Sequence, residues 1–250
     1  MNGRFIDSVI LKREIDKDSY LTKIPAVQYL QKHHSISFDS NVTFFVGENG
    51  TGKSTLLEAI AVAYGFNAEG GTKNFSFSTN QTHSKLCDSL TISRSKFAKD
   101  GFFLRAESFY NVATNIEEMD SEPAASPPVI ESYGGVSLHR QSHGESFLAL
   151  VQNRFGGNGL YILDEPEAAL SPAKLLTLMA EIDLLVKQNS QFIIATHSPI
   201  LMTFPNAAVY QFSENGIQRV DYWQTEHFQL TRSFLNNPKQ MLKILLEDES

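Results

Sequence analysis

Gly47-Glu48-Asn49-Gly50-Thr51-Gly52-Lys53-Ser54-Thr55 is the stretch from which the fold of this chain is read. It fits G-x-x-x-x-G-K-[ST]. Before it, Val42-Thr43-Phe44-Phe45-Val46 is apolar and β-branched, which predicts a buried strand. After it, Leu56-Leu57-Glu58-Ala59-Ile60-Ala61 opens a helical pattern. Strand, glycine loop and helix in that order describe a phosphate cradle rather than a glycine-rich turn with a chance lysine. Gly47, Gly50 and Gly52 let the backbone curl so that its amides face an anion. The helix behind adds the positive end of its dipole. The cradle comprises Asn49, Gly50, Thr51, Gly52, Lys53, Ser54 and Thr55. Lys53 is expected to reach the β- and γ-phosphates of a nucleotide, the Ser54 hydroxyl to hold Mg²⁺, and Thr55 to lie near the α-phosphate.

Outward from this loop, 250 residues suffice for one sizeable core in a single domain. No apolar run reaches the length of a membrane span, and the N-terminus has no basic-then-apolar leader. The one cysteine, Cys87, excludes an internal disulfide framework and a cysteine zinc cluster. It reads as a buried or idle thiol of a reducing cytoplasm. Net charge is −7 but uneven: residues 1–105 carry +3 and residues 106–250 carry −10. That balance gives no broad basic face for gripping DNA.

The remaining pattern alternates strands and helices. Residues 4–11 predict a first strand, Pro25-Ala26-Val27-Gln28-Tyr29-Leu30 a short helix, and Ile36-Ser37-Phe38 a second strand. Phe75–Ser78, Leu90–Ser93 and residues 101–106 read as further strands. The Pro-, Ser- and acid-rich stretch 117–133 reads as a mobile surface loop. Gly159-Leu160-Tyr161-Ile162-Leu163 and Gln191-Phe192-Ile193-Ile194-Ala195 are continuous apolar runs, as in a parallel sheet covered on both faces. Between them Ser171-Pro172 starts a helix to about Lys187. Residues 209–220 predict a hairpin, and residues 226–247 a helical end broken at Pro238.

Three further segments carry chemistry. Asp164 and Glu165 end the strand at 159–163, 111 and 112 residues after Lys53. The first carboxylate can face Mg²⁺, and the second can polarise a water for in-line attack on a γ-phosphate. His197, at the end of the next strand, can donate a hydrogen bond to that phosphate. Ser142-His143-Gly144-Glu145 begins another helix. Ser-x-x-Glu is a capping box, and the same geometry presents amides and a hydroxyl to an anion.

In this order the four elements resemble the ATP-binding-cassette (ABC) ATPases. Gly47–Thr55 is similar to Walker A, and Leu160–Glu165 to Walker B with its catalytic glutamate. Gln141–Glu145 is similar to the signature Leu-Ser-Gly-Gly-Gln, Ala168–Ser171 to the D-loop, and His197 to the switch histidine. The likeness covers about residues 36–200. The signature departs at His143 and Glu145, and the D-loop ends in Ser171 rather than aspartate. No Q-loop glutamine follows 101–106; Glu107 stands at that place and could reach Mg²⁺. Tyr29, His34 and Phe38 are the aromatic or imidazole rings open to an adenine.

The resemblance implies an α/β P-loop NTPase of ABC type. Its mixed parallel core sheet is flanked by helices and preceded by an antiparallel β region. It further implies one domain over 1–250, with a signature-bearing lobe at about 66–155. The site residues it implies are Glu165 and His197 for catalysis, the loop with Ser142, Gly144 and Glu145 for ATP, and Ser54, Asp164 and Glu107 for Mg²⁺. The signature of one subunit completes the γ-phosphate site of another in that family, so a head-to-tail, ATP-dependent homodimer follows. The loop and signature details look most like the small stand-alone ATPases grouped with the SMC and RecF-type heads. The expected activity is ATP hydrolysis that drives a partner protein or nucleic acid. The rival readings are a nucleotide-gated module without turnover and the cassette subunit of a membrane transporter.

Overall fold

The computed structural model describes residues 4–73, 84–106, 109–121 and 128–246. Its elements are β1 (Ser8–Leu11), α1 (Pro25–His33), β2 (Ser35–Ser37), β3 (Val42–Gly47) and α2 (Lys53–Tyr64). Then come β4 (Leu90–Ser93), β5 (Asp100–Arg105), α3 (Phe109–Ser121) and α4 (His143–Arg154). The chain continues through β6 (Gly159–Asp164), α5 (Pro172–Lys187) and β7 (Gln191–Ala195). It closes with β8 (Ala208–Ser213), β9 (Gly216–Val220), α6 (Glu226–Asn236) and α7 (Pro238–Leu246).

Two sheets result. The larger has the order β5-β6-β7-β3-β8-β9, parallel except for the β8–β9 hairpin. The smaller is antiparallel, β2-β1-β4. The α/β class and the antiparallel region are therefore as the sequence implies. The pleat sends alternate residues of each central strand to opposite faces. Phe44, Tyr161, Leu163, Phe192 and Ile194 join a core with α3, α4 and α5. Phe45, Leu160, Ile162 and Ile193 join a second core with α1, α2 and the small sheet. Both faces are covered, which is why these strands read as unbroken apolar runs.

Two expectations are corrected. The first strand begins at Ser8 rather than at residue 4, because Phe5 and Ile6 are held by a buried side chain. Gln191 Oε1 accepts from Phe5 N (2.7 Å) and Ile6 N (2.9 Å), and its Nε2 donates to Ile6 O (2.9 Å). That amide substitutes for a neighbouring strand. The stretch 117–133 is not a loop throughout: α3 continues to Ser121, and Val129–Tyr133 forms a 3-10 turn with Tyr133 buried. Asp120 fastens that turn, its carboxylate accepting from Val129 N and Ile130 N. Within 66–155, β4 joins the small sheet, β5 the edge of the large one, and the signature-like segment opens α4. The strand expected at Phe75–Ser78 lies outside the described residues.

Cys87 is buried, and burial, with Asp88 beside it, pushes its thiol pKa up. Among the described residues no helix is long and apolar enough to cross a membrane.

Gly47 and Gly50 illustrate what the loop demands of its backbone. Both have positive φ, 133° and 80°. A Cβ on Gly47 would collide with the Phe212 carbonyl of the paired strand β8, whereas one on Gly50 would meet none of the described residues within 4 Å. Gly47→Ala is expected to cost about 3 kcal/mol or more, combining clash with a strained φ, and Gly50→Ala only about 1 kcal/mol. Urea unfolding of the two variants checks this; equal losses would contradict it.

Candidate nucleotide site

The site is assembled at the C-terminal ends of three adjacent parallel strands, β3, β7 and β6. Register aligns them: Phe45 pairs with Ala195, and Ala195 with Asp164. The ladder continues one residue past the strand ends, with Thr196 N donating to Phe45 O (3.0 Å) and Glu165 N to Ala195 O (2.9 Å). The phosphate loop, the acid pair and His197 therefore emerge side by side.

The loop is tightly built. Gly52, the N-cap of α2 at φ 97°, leaves no room for a Cβ, which would strike Ile24 and crowd Ala26. Ala26 N donates to Thr51 O (3.1 Å), and Thr51 Oγ1 to Glu48 O (2.8 Å). Lys53 is buried, with Nζ donating to Gly47 O (2.7 Å) and Glu48 O (2.8 Å). Burial lowers its pKa, against the opposing pull of Glu165 and then Asp164. A buried ammonium held by two carbonyls and facing carboxylates is an anion receptor.

Ser54 Oγ donates to Asp164 Oδ1 at 3.0 Å. A hydroxyl and a carboxylate in contact are hard oxygen donors of the kind Mg²⁺ takes alongside phosphate and water. Among the described residues no group of three or more His, Cys, Asp and Glu could hold a metal by itself. Of the three residues expected to hold Mg²⁺, Ser54 and Asp164 are in contact here and Glu107 lies outside the described residues. Arg105 completes this corner, its Nε 3.6 Å from Asp164 Oδ2 and its Nη1 2.7 Å from Glu58 Oε2.

Glu165 follows in left-handed backbone (φ 50°, ψ 52°) immediately before Pro166. Both features disfavour that conformation, at a cost on the order of 1–3 kcal/mol. It turns the carboxylate toward His197, whose Nε2 is 3.5 Å from Glu165 Oε1. A cleft of about 220 Å³ lies here, lined by Ser54, Arg105, His143, Asp164 and Glu165.

Sequence reasoning missed four residues here. Glu167 accepts from Thr196 Oγ1 (2.8 Å) and His197 N (2.5 Å), and burial raises its pKa. His227, in the first turn of α6, contacts His197, Nε2 to Nδ1, at 3.0 Å. Arg105 and His143 border the cleft. Glu167, in Asp164-Glu165-Pro166-Glu167, and His143, in the signature-like segment, stood inside recognised motifs. Arg105 and His227 reach the site through the fold.

The signature-like segment forms the expected capping box at α4: the Glu145 carboxylate accepts from Ser142 N (3.1 Å) and Ser142 Oγ (2.5 Å). Those bonds, then Lys174, lower the Glu145 pKa. Ser142 and Glu145 are exposed, but Gly144 is buried, and its Cβ would fall 2.8 Å from Ala169 O. Of the adenine candidates, Phe38 is in the core, Tyr29 stacks on His33, and His34 caps α1. None of the three lines the clefts bordering the loop.

A phosphate cradle at the head of a parallel sheet, with an acid pair and a histidine on the two neighbouring strands, defines a P-loop nucleotide-binding protein. A family model described as "AAA domain" matches residues 24–117, and one described as "AAA domain, putative AbiEii toxin, Type IV TA system" matches residues 131–203. Two AAA-type domain models thus match successive stretches of this chain, which supports a small ABC/AAA-type ATPase. Among solved structures it is similar to one described as "An inward-facing conformation of a putative metal-chelate type ABC transporter". The two are 13% identical with a TM-score of 0.51, over 91% of this chain and 88% of that one. That likeness shows a shared fold. The chain is also similar to the SMC head domain from Thermotoga maritima, 18% identical with a TM-score of 0.43, over 87% of this chain and 99% of that one. No curated protein matches.

The two histidines give a pH prediction. Burial, and next the Lys53 ammonium, lower both pKa values from 6.5. The unfolded chain then binds these protons more tightly than the folded one, so their contribution to stability is lost as pH falls below about 6.5. Glu167 acts in the opposite sense at lower pH, because its folded pKa is raised. NMR titration is expected to place both histidine midpoints below 6.5; a midpoint above that value for either ring would contradict the assignment.

Proposed function

We propose that this chain binds ATP with Mg²⁺ and hydrolyses it, as a single domain in which two copies enclose the nucleotides head to tail. The observation that carries this reading is the convergence of Ser54, Asp164, Glu165 and His197 on the phosphate loop. Asn49 to Thr55 hold the phosphates, with loop amides and the start of α2 facing them. Lys53 exchanges its two carbonyl partners for the β- and γ-phosphate oxygens. Ser54 and Asp164, with Glu107, hold the metal or its water. Mg²⁺ held there would supply positive charge to offset that of the phosphates. Glu165 orients a water and takes its proton as the water oxygen bonds to the γ-phosphorus and the bond to the β-phosphate oxygen breaks. His197 donates from Nε2 to the γ-phosphate. The products are ADP and phosphate.

The second copy contributes the start of its α4. Ser142 and Glu145 are the exposed groups of that segment, and Gly144 lets α4 approach the Ala169 backbone. ATP then favours the closed pair by contacts absent from the open one, and hydrolysis releases it. That cycle acts on a protein or nucleic acid of the cytoplasm, a setting the buried thiol of Cys87 suits.

Glu165→Gln separates binding from chemistry. It is expected to lower kcat about 100-fold or more while retaining ATP and trapping a dimer with Mg²⁺-ATP, read by turnover and by light scattering. Lys53→Ala is expected to abolish ATP binding at micromolar protein. Equal, negligible turnover in wild type and Glu165→Gln would instead support a nucleotide-gated module.

A further inference from the structure

We propose that His227 is a positioning residue for hydrolysis: its Nε2–H donates to His197 Nδ1 and thereby holds His197 in the tautomer that carries its proton on Nε2. This rests on the reading that His197 faces the γ-phosphate. The two nitrogens are 3.0 Å apart, a hydrogen-bond distance. Two neutral imidazoles in that contact need one donor and one acceptor, so only two arrangements exist.

The surroundings choose between them. If His197 donated from Nδ1, its Nε2 would be a bare lone pair 3.5 Å from the Glu165 carboxylate, an acceptor facing an acceptor. With His227 as donor, an N–H faces that carboxylate instead. The same choice accounts for a second feature. Among the described residues, the buried His197 Nε2 has no hydrogen-bond partner. Buried polar atoms without partners are uncommon and call for a ligand. As an N–H it suits an anionic oxygen arriving on the loop; as a lone pair it would repel one.

His197 is held at two points. Its backbone N–H is taken by Glu167, which also accepts from Thr196 Oγ1. Its ring is held by His227. The seat of His227 is built on the segment that follows His197: Thr225, the N-cap of α6, is buried 3.1 Å from Met202 Sδ. Helix α6 thus reaches into the site 30 residues after the histidine it orients.

The test compares full-length wild type, His227→Gln, which keeps an N–H donor, and His227→Phe, which fills the space without one. His227→Phe is expected to lower kcat about 10- to 100-fold with the ATP KM within about two-fold, and His227→Gln to recover most of the loss. Long-range ¹H–¹⁵N spectra of the imidazoles are expected to show His197 protonated on Nε2 in wild type and in His227→Gln, and mixed in His227→Phe. A wild-type His197 protonated on Nδ1, or an active enzyme in which His227→Phe leaves kcat unchanged, overturns the proposal. The wild-type spectrum decides even if His227→Phe does not fold. A wild type without turnover would refute the hydrolase reading, and the tautomer would still decide the role of His227.

Discussion

Parallel register between β3, β7 and β6 is the constraint on which the site depends. Phe45, Ala195 and Asp164 lie level across the sheet. A slip of one residue in any pair would turn its apolar side chains to the wrong face and move its tip residue along the sheet edge. The two buried cores resist that slip, because Phe44 and Phe45, Leu163 and Ile162, and Ile194 and Ile193 must each reach opposite sides. Packing thus sets the position of chemistry that contributes little to packing itself.

The cluster so assembled stores unmet electrostatic need. Lys53 is buried against carbonyls, Glu167 is a carboxylate raised by burial, and Glu165 sits in unfavourable backbone beside a proline. Charged groups this close in a partly dry site are stable only as a balanced set. Lys53 and Arg105 offset the acids, and Ser54 occupies one oxygen of Asp164. An incoming polyanion with a divalent cation adds charge of both signs, which such a set accommodates better than either alone. Lys53, Glu167, His197 and His227, whose pKa values are all shifted chiefly by burial, meet at this site.

Much of this was legible from residue order. The G-x-x-x-x-G-K-S stretch between a β-branched run and a helix fixes strand, loop and helix, and the fold has all three at those positions. The capping box at Ser142 and the start of α5 at Ser171-Pro172 were readable because caps act over three residues. Residues 117–133 misled because proline, serine and acid resemble a solvated loop, while Asp120 and Tyr133 in fact fasten the segment down through contacts unseen in the pattern. The first strand was overextended because the side chain of Gln191, some 185 residues away, takes the place of a strand partner.

By itself the sequence determined the local features: which residues form the phosphate loop, where strands alternate with helices, and which carboxylates and histidine end the strands. These follow from backbone permissiveness, short-range capping and side-chain period, all of which act within a few residues. Only the tertiary structure decided that Arg105 abuts Asp164, that Gly144 is buried against the Ala169 backbone, and that His227 from the last helices touches His197. Those contacts join residues 25 to 59 positions apart, and which of them meet depends on how helices pack across a finished sheet, a choice no single stretch of residues contains.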